Sequence, residues 1–169
     1  MSFRHAGFTL VELVVTIAVM AVVMAIAFPS FQNTLRSHRV STSTNDVISQ
    51  ISLARSEGVR STHGGGVCAS GDGATCGTDW SAGWLAWADA NANGSLDAGE
   101  VVLRFSNGSG HIVVTGPSSP VTFDARGLRS SAGTQVIALQ PDSCGGQSFR
   151  RTLTITPTGQ VKTVAGACI

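Results

Sequence analysis

Tyrosine is absent from this 169-residue chain, and charge is sparse and balanced: 11 basic side chains face 10 acidic ones, for a formal +1. That balance excludes a global attraction to nucleic acid, a charged membrane surface or an acidic partner, so any such binding must come from a local patch. No C-x-x-C pair occurs, which argues against the common zinc frameworks. No G-x-S-x-G elbow presents a nucleophilic serine, and the triplet Gly64, Gly65, Gly66 lacks the lysine of a phosphate loop. His5, His38, His63 and His111 show no metal-ligand spacing. Repeats of about 20 to 50 residues and low-complexity tracts are also missing. A protein without catalytic activity is expected.

Apolar residues and glycine are plentiful. With 43% hydrophobic content the chain suits one domain with a core, and 20 glycines with many Ser and Thr indicate long loops. Residues 8–28 form an apolar run of 21 residues, bounded by Pro29, in which Glu12 is the only charge. As a helix the run measures roughly 31 Å at ~1.5 Å per residue, enough to cross a bilayer core. A secretory signal has a shorter apolar region of about 7 to 15 residues and a small-residue cleavage site, so a retained transmembrane helix is the better reading. Glu12 needs a positive partner, since a carboxylate in hydrocarbon costs about 2.5–3.5 kcal/mol. A cut after Gly7 would supply one as the new amine of Phe8, four residues away, and a neighbouring subunit could do the same.

The stretch GFTLVE resembles the amino terminus of type IV pilin-like proteins, in which a leader ends in Gly before Phe and Glu is the fifth mature residue. The resemblance implies that a prepilin peptidase cuts between Gly7 and Phe8 and methylates the Phe8 amine. It further implies that Glu12 serves assembly, that Pro29 kinks the helix, and that the helix packs against other major and minor pilins. Removal of Arg4 with the leader would leave a formally neutral chain.

After Pro29, Val40, Val47, Ile51, Ala54 and Gly58 recur at steps of three, four or seven, one apolar stripe on an otherwise polar helix. Beyond Gly64 short runs rich in Val, Ile and Thr alternate with turn residues: GWLAWAD, EVVLRFS, HIVVT, VTFD, TQVIAL, TLTIT and GQVKTV. This order predicts an α+β fold, with a long amino-terminal helix, transmembrane in its first half, packed against an antiparallel β-sheet head. Residues 62–79 read as a loop. LARSEGVRS, GWLAWADANANGSLDAGE, VTFDARG and FRRTLTITPTGQVK together resemble the GspH/FimT/FimU group of minor pilins and pseudopilins. The expected organisation is a leader over residues 1–7, a membrane or filament-core helix over 8–28, its amphipathic continuation over 29–61, and a β-rich head over 62–169.

Cys68, Cys76, Cys144 and Cys168 fall where a membrane anchor would hold them outside the cytoplasm, and disulfides persist there. Of three connectivities, the local one is expected: Cys68 with Cys76 across a Gly-rich loop, and Cys144 with Cys168 to fasten the last strands. The resemblance implies a single-pass protein of the bacterial inner membrane with a periplasmic head, later part of a pilus or pseudopilus. It leaves three roles: a type IV minor pilin of the tip or initiation complex, a FimT-like DNA-capturing minor pilin, and a GspH-type pseudopilin of type II secretion. FimT-like members carry a GRxR-like stretch near the carboxyl end. Here Gly159, Gln160, Val161 and Lys162 replace it, which weakens phosphate grip. Arg150 and Arg151, one strand earlier, are expected within reach of Lys162 as a small basic patch.

The twelve residues DANANGSLDAGE match the offsets of an EF-hand calcium loop: Asp89, Asn91, Asn93, Ser95 and Asp97 with Glu100 in the bidentate place. Their flanks alternate as strands, and turns alone favour Asp, Asn and Gly. Two readings stay open, a calcium site and a bare hairpin loop, and no cofactor is required.

Overall fold

The computed structural model describes residues 7–169, in which one helix precedes eight strands. The expected leader residues 1–6 lie outside the described residues. The helix, α1, runs over Leu10–Ser61 and continues through Pro29. Proline has no N–H to donate, so the Ala25 carbonyl one turn earlier lacks its helical partner.

The chain divides into two units, Met1–Leu35 and Arg36–Ile169. In the first, α1 is apolar around its whole circumference, and its large side chains from Leu10 to Phe28 are exposed. In the second, α1 buries Val40, Val47, Ile51, Ala54 and Gly58, the predicted stripe, together with Thr44, Gln50 and Glu57. Each step of three or four residues returns a side chain to the same face, which is why the stripe can pack on a sheet.

The strands are β1 (Gly64–Ala69), β2 (Gly83–Asp89), β3 (Val102–Asn107), β4 (Ile112–Thr115), β5 (Val121–Asp124), β6 (Gln135–Pro141), β7 (Arg150–Ile155) and β8 (Val161–Gly166). They form two four-stranded sheets, ordered β3-β2-β1-β5 and β4-β6-β7-β8. Every pairing is antiparallel. Both sheets contribute to one core around the helix stripe, with Val67, Trp84 and Phe123 from the first and Ile137, Leu139 and Leu153 from the second.

One sequence expectation is overturned here. Residues 62–79 are not all loop: Gly64–Ala69 form β1, an interior strand that is buried along its entire length. Three successive glycines read as a flexible turn, yet here they create room. A Cβ on Gly65 would lie 2.2 Å from the Ala54 carbonyl oxygen of α1, and one on Gly66 would lie 2.2 Å from the Trp87 ring. The helix therefore closes on one face of β1 and a tryptophan on the other, approaches that only a residue without a side chain permits.

The outer face of this sheet carries a second, smaller core of Cys68, Leu85 and Trp87 with Leu96, Val102 and Phe105 against it. The disulfide between Cys68 and Cys76 ties the loop after β1 to that face. Cys144 pairs with Cys168, linking the segment after β6 to the end of the chain. Both are the pairings chosen from sequence.

Candidate functional site

The amino-terminal segment is built for contact with something outside the chain. Thr9 precedes the first helical residue, and its Oγ1 accepts a hydrogen bond from the Glu12 backbone N–H at 3.2 Å. Thr9 is thus the helix N-cap, with Glu12 at the third helical position, where a carboxylate also favours the positive end of the helix dipole. The spacing T-x-x-E carries this signal, but sequence reasoning directed at the cleavage motif missed it. Among the described residues no side chain pairs with the Glu12 carboxylate. Gly7 stands open, with nothing within 4 Å of where its Cβ would be, and Phe8 is 78% exposed. The junction between them is free of packing. An apolar run with one acid, exposed all round, is a surface awaiting hydrocarbon or other helices.

The head, in contrast, ties helix to sheet through polar side chains, although buried atoms such as Trp87 Nε1 and Thr44 Oγ1 have no hydrogen-bond partner. Asp46 on α1 accepts from Trp84 Nε1 at 2.8 Å and pairs with Arg104 at 2.9 Å, while Gln50 reaches both Asp46 and Ser106. This knot fastens helix to sheet. Its partners are 38 and 58 residues away in the chain, so no local pattern marks it.

The loop of residues 89–100 turns its carboxylates on itself. The buried Asp89 accepts from the backbone N–H of Asn93 and of Gly94, and Glu100 accepts from the N–H of Ala90 and of Asp97. Asn91 and Asn93 donate their amides to Asp97, which holds the Asp97 carboxyl below its usual pKa. Ser95 joins through its N–H to the Asn93 side chain. Strands β2 and β3 flank the loop, where an EF-hand has helices. Among the described residues no group of three or more His, Cys, Asp or Glu side chains is arranged to hold a metal ion.

The expected basic patch does not assemble, a second correction. Arg150 and Arg151 are successive residues of β7, so alternation sends them to opposite faces. Lys162 is paired with Thr154, four positions along β7 from Arg150, or about 13 Å at a strand's rise per residue. Lys162 instead borders a groove whose other wall is α1, with Arg55 and Arg60. Adjacent strands bring residues within reach only where the register makes them opposite.

Comparison with known proteins completes the description. A family model described as type II transport protein GspH matches residues 43–159. The chain belongs to the GspH family. A second model, the prokaryotic N-terminal methylation motif, matches residues 2–28. Among solved structures, the type IV minor pilin FimU of Pseudomonas aeruginosa is similar at 19% identity and a TM-score of 0.56, over 75% of this chain and 89% of that one. The minor pseudopilin EpsH from the type 2 secretion system of Vibrio cholerae is similar at 11% identity and a TM-score of 0.53, over 75% and 96%. No curated protein matches.

This GspH-family chain has the type IV pilin-like fold, one long amino-terminal helix packed against antiparallel sheets. It is a minor pilin or pseudopilin, of a type IV pilus or of type II secretion. Such subunits assemble with other pilins in a pilus or pseudopilus, and the family is a structural one.

Proposed function

We propose that this protein is a minor pilin of the tip or initiation complex of a type IV pilus. It is held ready in the bacterial inner membrane by residues 8–28, with its head in the periplasm. The carrying observation is the exposed apolar surface of α1 over residues 10–28 with a single acid, Glu12, unpaired among the described residues. In the membrane that surface meets lipid, and on extraction into a filament it meets neighbouring helices, so both states bury it. A prepilin peptidase cuts between Gly7 and Phe8 and methylates Phe8, and the Phe8 amine of this or a neighbouring subunit neutralises Glu12. The open junction at Gly7 supports the cut. Deletion of the protein, scored together for piliation, twitching and secretion, tests the assignment: loss of piliation supports it. Loss of secretion with normal pili replaces it with the second reading, a pseudopilin of type II secretion, which the description of the matching family favours.

The head is read as a structural, non-catalytic module. Activity-based labelling of the purified protein tests this, since a labelled nucleophile would overturn it. The loop of residues 89–100 is read as a self-braced hairpin, because backbone N–H groups already engage Asp89 and Glu100. A rise in melting temperature with millimolar calcium would replace that reading with an ion site.

A further inference from the structure

Strand β8 ends its sheet and pairs on one side only, with β7. The turn before it decides which backbone groups are left over. Thr156 N donates to the Gln160 carbonyl at 2.9 Å, and Gly159, at φ +76°, donates its N–H to the Thr156 carbonyl. Hydrogen-bonded and non-bonded pairs alternate along an antiparallel ladder. Lys162, Val164 and Gly166, opposite Thr154, Thr152 and Arg150, therefore direct their N–H and C=O groups to β7. The N–H and C=O groups of Val161, Thr163 and Ala165 point outward along the open edge.

The other edges are managed. Along β5, Asp124 N donates to the Leu128 carbonyl, and Ser130 N donates to the Thr122 carbonyl. At β4, the Ser81 hydroxyl accepts from Val114 N at 2.9 Å and donates to the Val114 carbonyl at 3.1 Å. Strand β3 is interrupted by a register shift against Ala86 and Trp87. By comparison β8 is regular over six residues, has no proline and carries one charge, Lys162. A strand edge of this kind is a template for another strand.

Beside the edge runs a groove of about 820 Å³, walled on one side by Ile48, Ile51 and Val59 of α1 and on the other by Val161 and Lys162. Among the described residues its lining carries Arg55, Arg60 and Lys162 and no carboxylate; Arg60 is bound to Glu57, and Arg55 donates to the Gly127 and Gly159 carbonyls. The hairpin is equally one-sided, for no Asp or Glu occurs after Asp142, while Arg150, Arg151 and Lys162 do.

We infer that β8 receives an extended, acidic segment of a neighbouring filament subunit as an added strand. Its backbone bonds to Val161, Thr163 and Ala165, an apolar side chain enters the groove against Ile48 and Val59, and carboxylates flank Lys162 and Arg55. Alternating open N–H and C=O groups select a polypeptide, since a phosphate accepts from N–H groups but has no donor for the carbonyls. The inference rests on the reading of the chain as a filament subunit. A deletion without an assembly phenotype would remove that role, whereas the binding measurement below addresses the edge by itself.

The test titrates full-length protein in detergent micelles into a fluorescent heptapeptide, acetyl-DEVTVED-amide, and reads anisotropy. Saturable binding is expected. It should weaken at least about tenfold when alternate peptide nitrogens are methylated, as for the loss of one or two backbone hydrogen bonds. Thr163→Pro should do the same without disturbing the ladder, because the Thr163 N–H does not face β7. Lys162→Glu should weaken binding of the acidic heptapeptide and make it less sensitive to salt. Absence of saturation at millimolar protein, or equal binding of the methylated peptide, overturns the inference. Displacement of the peptide by duplex DNA with no effect of Thr163→Pro also overturns it, in favour of a phosphate-binding patch. Should Thr163→Pro lower the melting temperature, the methylated peptide on unaltered protein still decides.

Discussion

The two stretches of α1 on either side of residue 35 use the same apolar residue types in opposite arrangements. Between residues 10 and 28 they surround the helix and are exposed. Between residues 36 and 61 most keep to one buried stripe, with Ile48 and Leu53 partly buried beside it and Val59 half exposed. The first arrangement cannot be completed within the chain, because no single sheet covers a full circumference, whereas the second is completed by the head. Each large apolar side chain gains about 1.5–3 kcal/mol on burial, so the exposed stretch stores a strong drive toward lipid or other helices. One helix thus serves assembly at one end and folding at the other. Changes in each stretch should affect one property and spare the other.

The largest separation is expected from Glu12→Val. Incorporation into sheared surface filaments should fall to background, while the melting of the head stays within about 1 °C of the parent, since Glu12 is exposed and lies outside the unit that holds the buried core. A melting shift as large as that of a core variant would break the comparison. The converse is Gly66→Ala, whose added Cβ would collide with the Trp87 ring. It should destabilise the head by about 3 kcal/mol in urea titration, with membrane insertion of residues 8–28 unchanged. Next is Asp46→Ala, which leaves the buried Trp84 N–H unpaired and releases Arg104. A loss of about 2 kcal/mol is expected, again from urea midpoints.

The smallest effect is acid sensitivity of the head. Asp72 and Asp97 lie below the usual carboxylate range, Asp72 through backbone bonds from Ala74 and Thr75 and the hydroxyls of Thr75 and Ser70, Asp97 through Asn91 and Asn93. For Asp124 desolvation pushes upward, but bonds from Arg126 and Leu128 prevail and lower it. Groups lowered on folding contribute stability above their unfolded value, near pH 4, and lose it as pH falls through the folded value. Melting temperature should therefore be flat from pH 7 to about 5 and decline modestly below 4. The decline is small because Asp72 and Asp97 are exposed and Asp124 is only partly buried. Loss of stability beginning near pH 6 would point to buried groups instead.

Much of this protein was determined locally. Seven of the strands, the helix stripe and the amino-terminal motif are legible because periodicity and turn residues depend only on near neighbours in the chain. The glycine triplet was not, since its three residues take their conformation from Ala54 and Trp87, which the fold brings against them. The loop of residues 89–100 shows the same division. Its residue types allow both an ion and a hairpin, and the fold adds that β2 and β3 flank it and that backbone N–H groups bond to Asp89 and Glu100. Arg150, Arg151 and Lys162 are near one another in sequence order of strands, but register and alternation separate them.

The sequence by itself determined that residues 8–28 need an apolar environment, that one acid interrupts them, and that the remainder folds as helix and strands. Only the tertiary structure decided which strand is central, where the charges go and which edge stays open. Composition and period act over a few residues, whereas strand order and register arise from contacts between distant segments, and a shift of one residue changes every face.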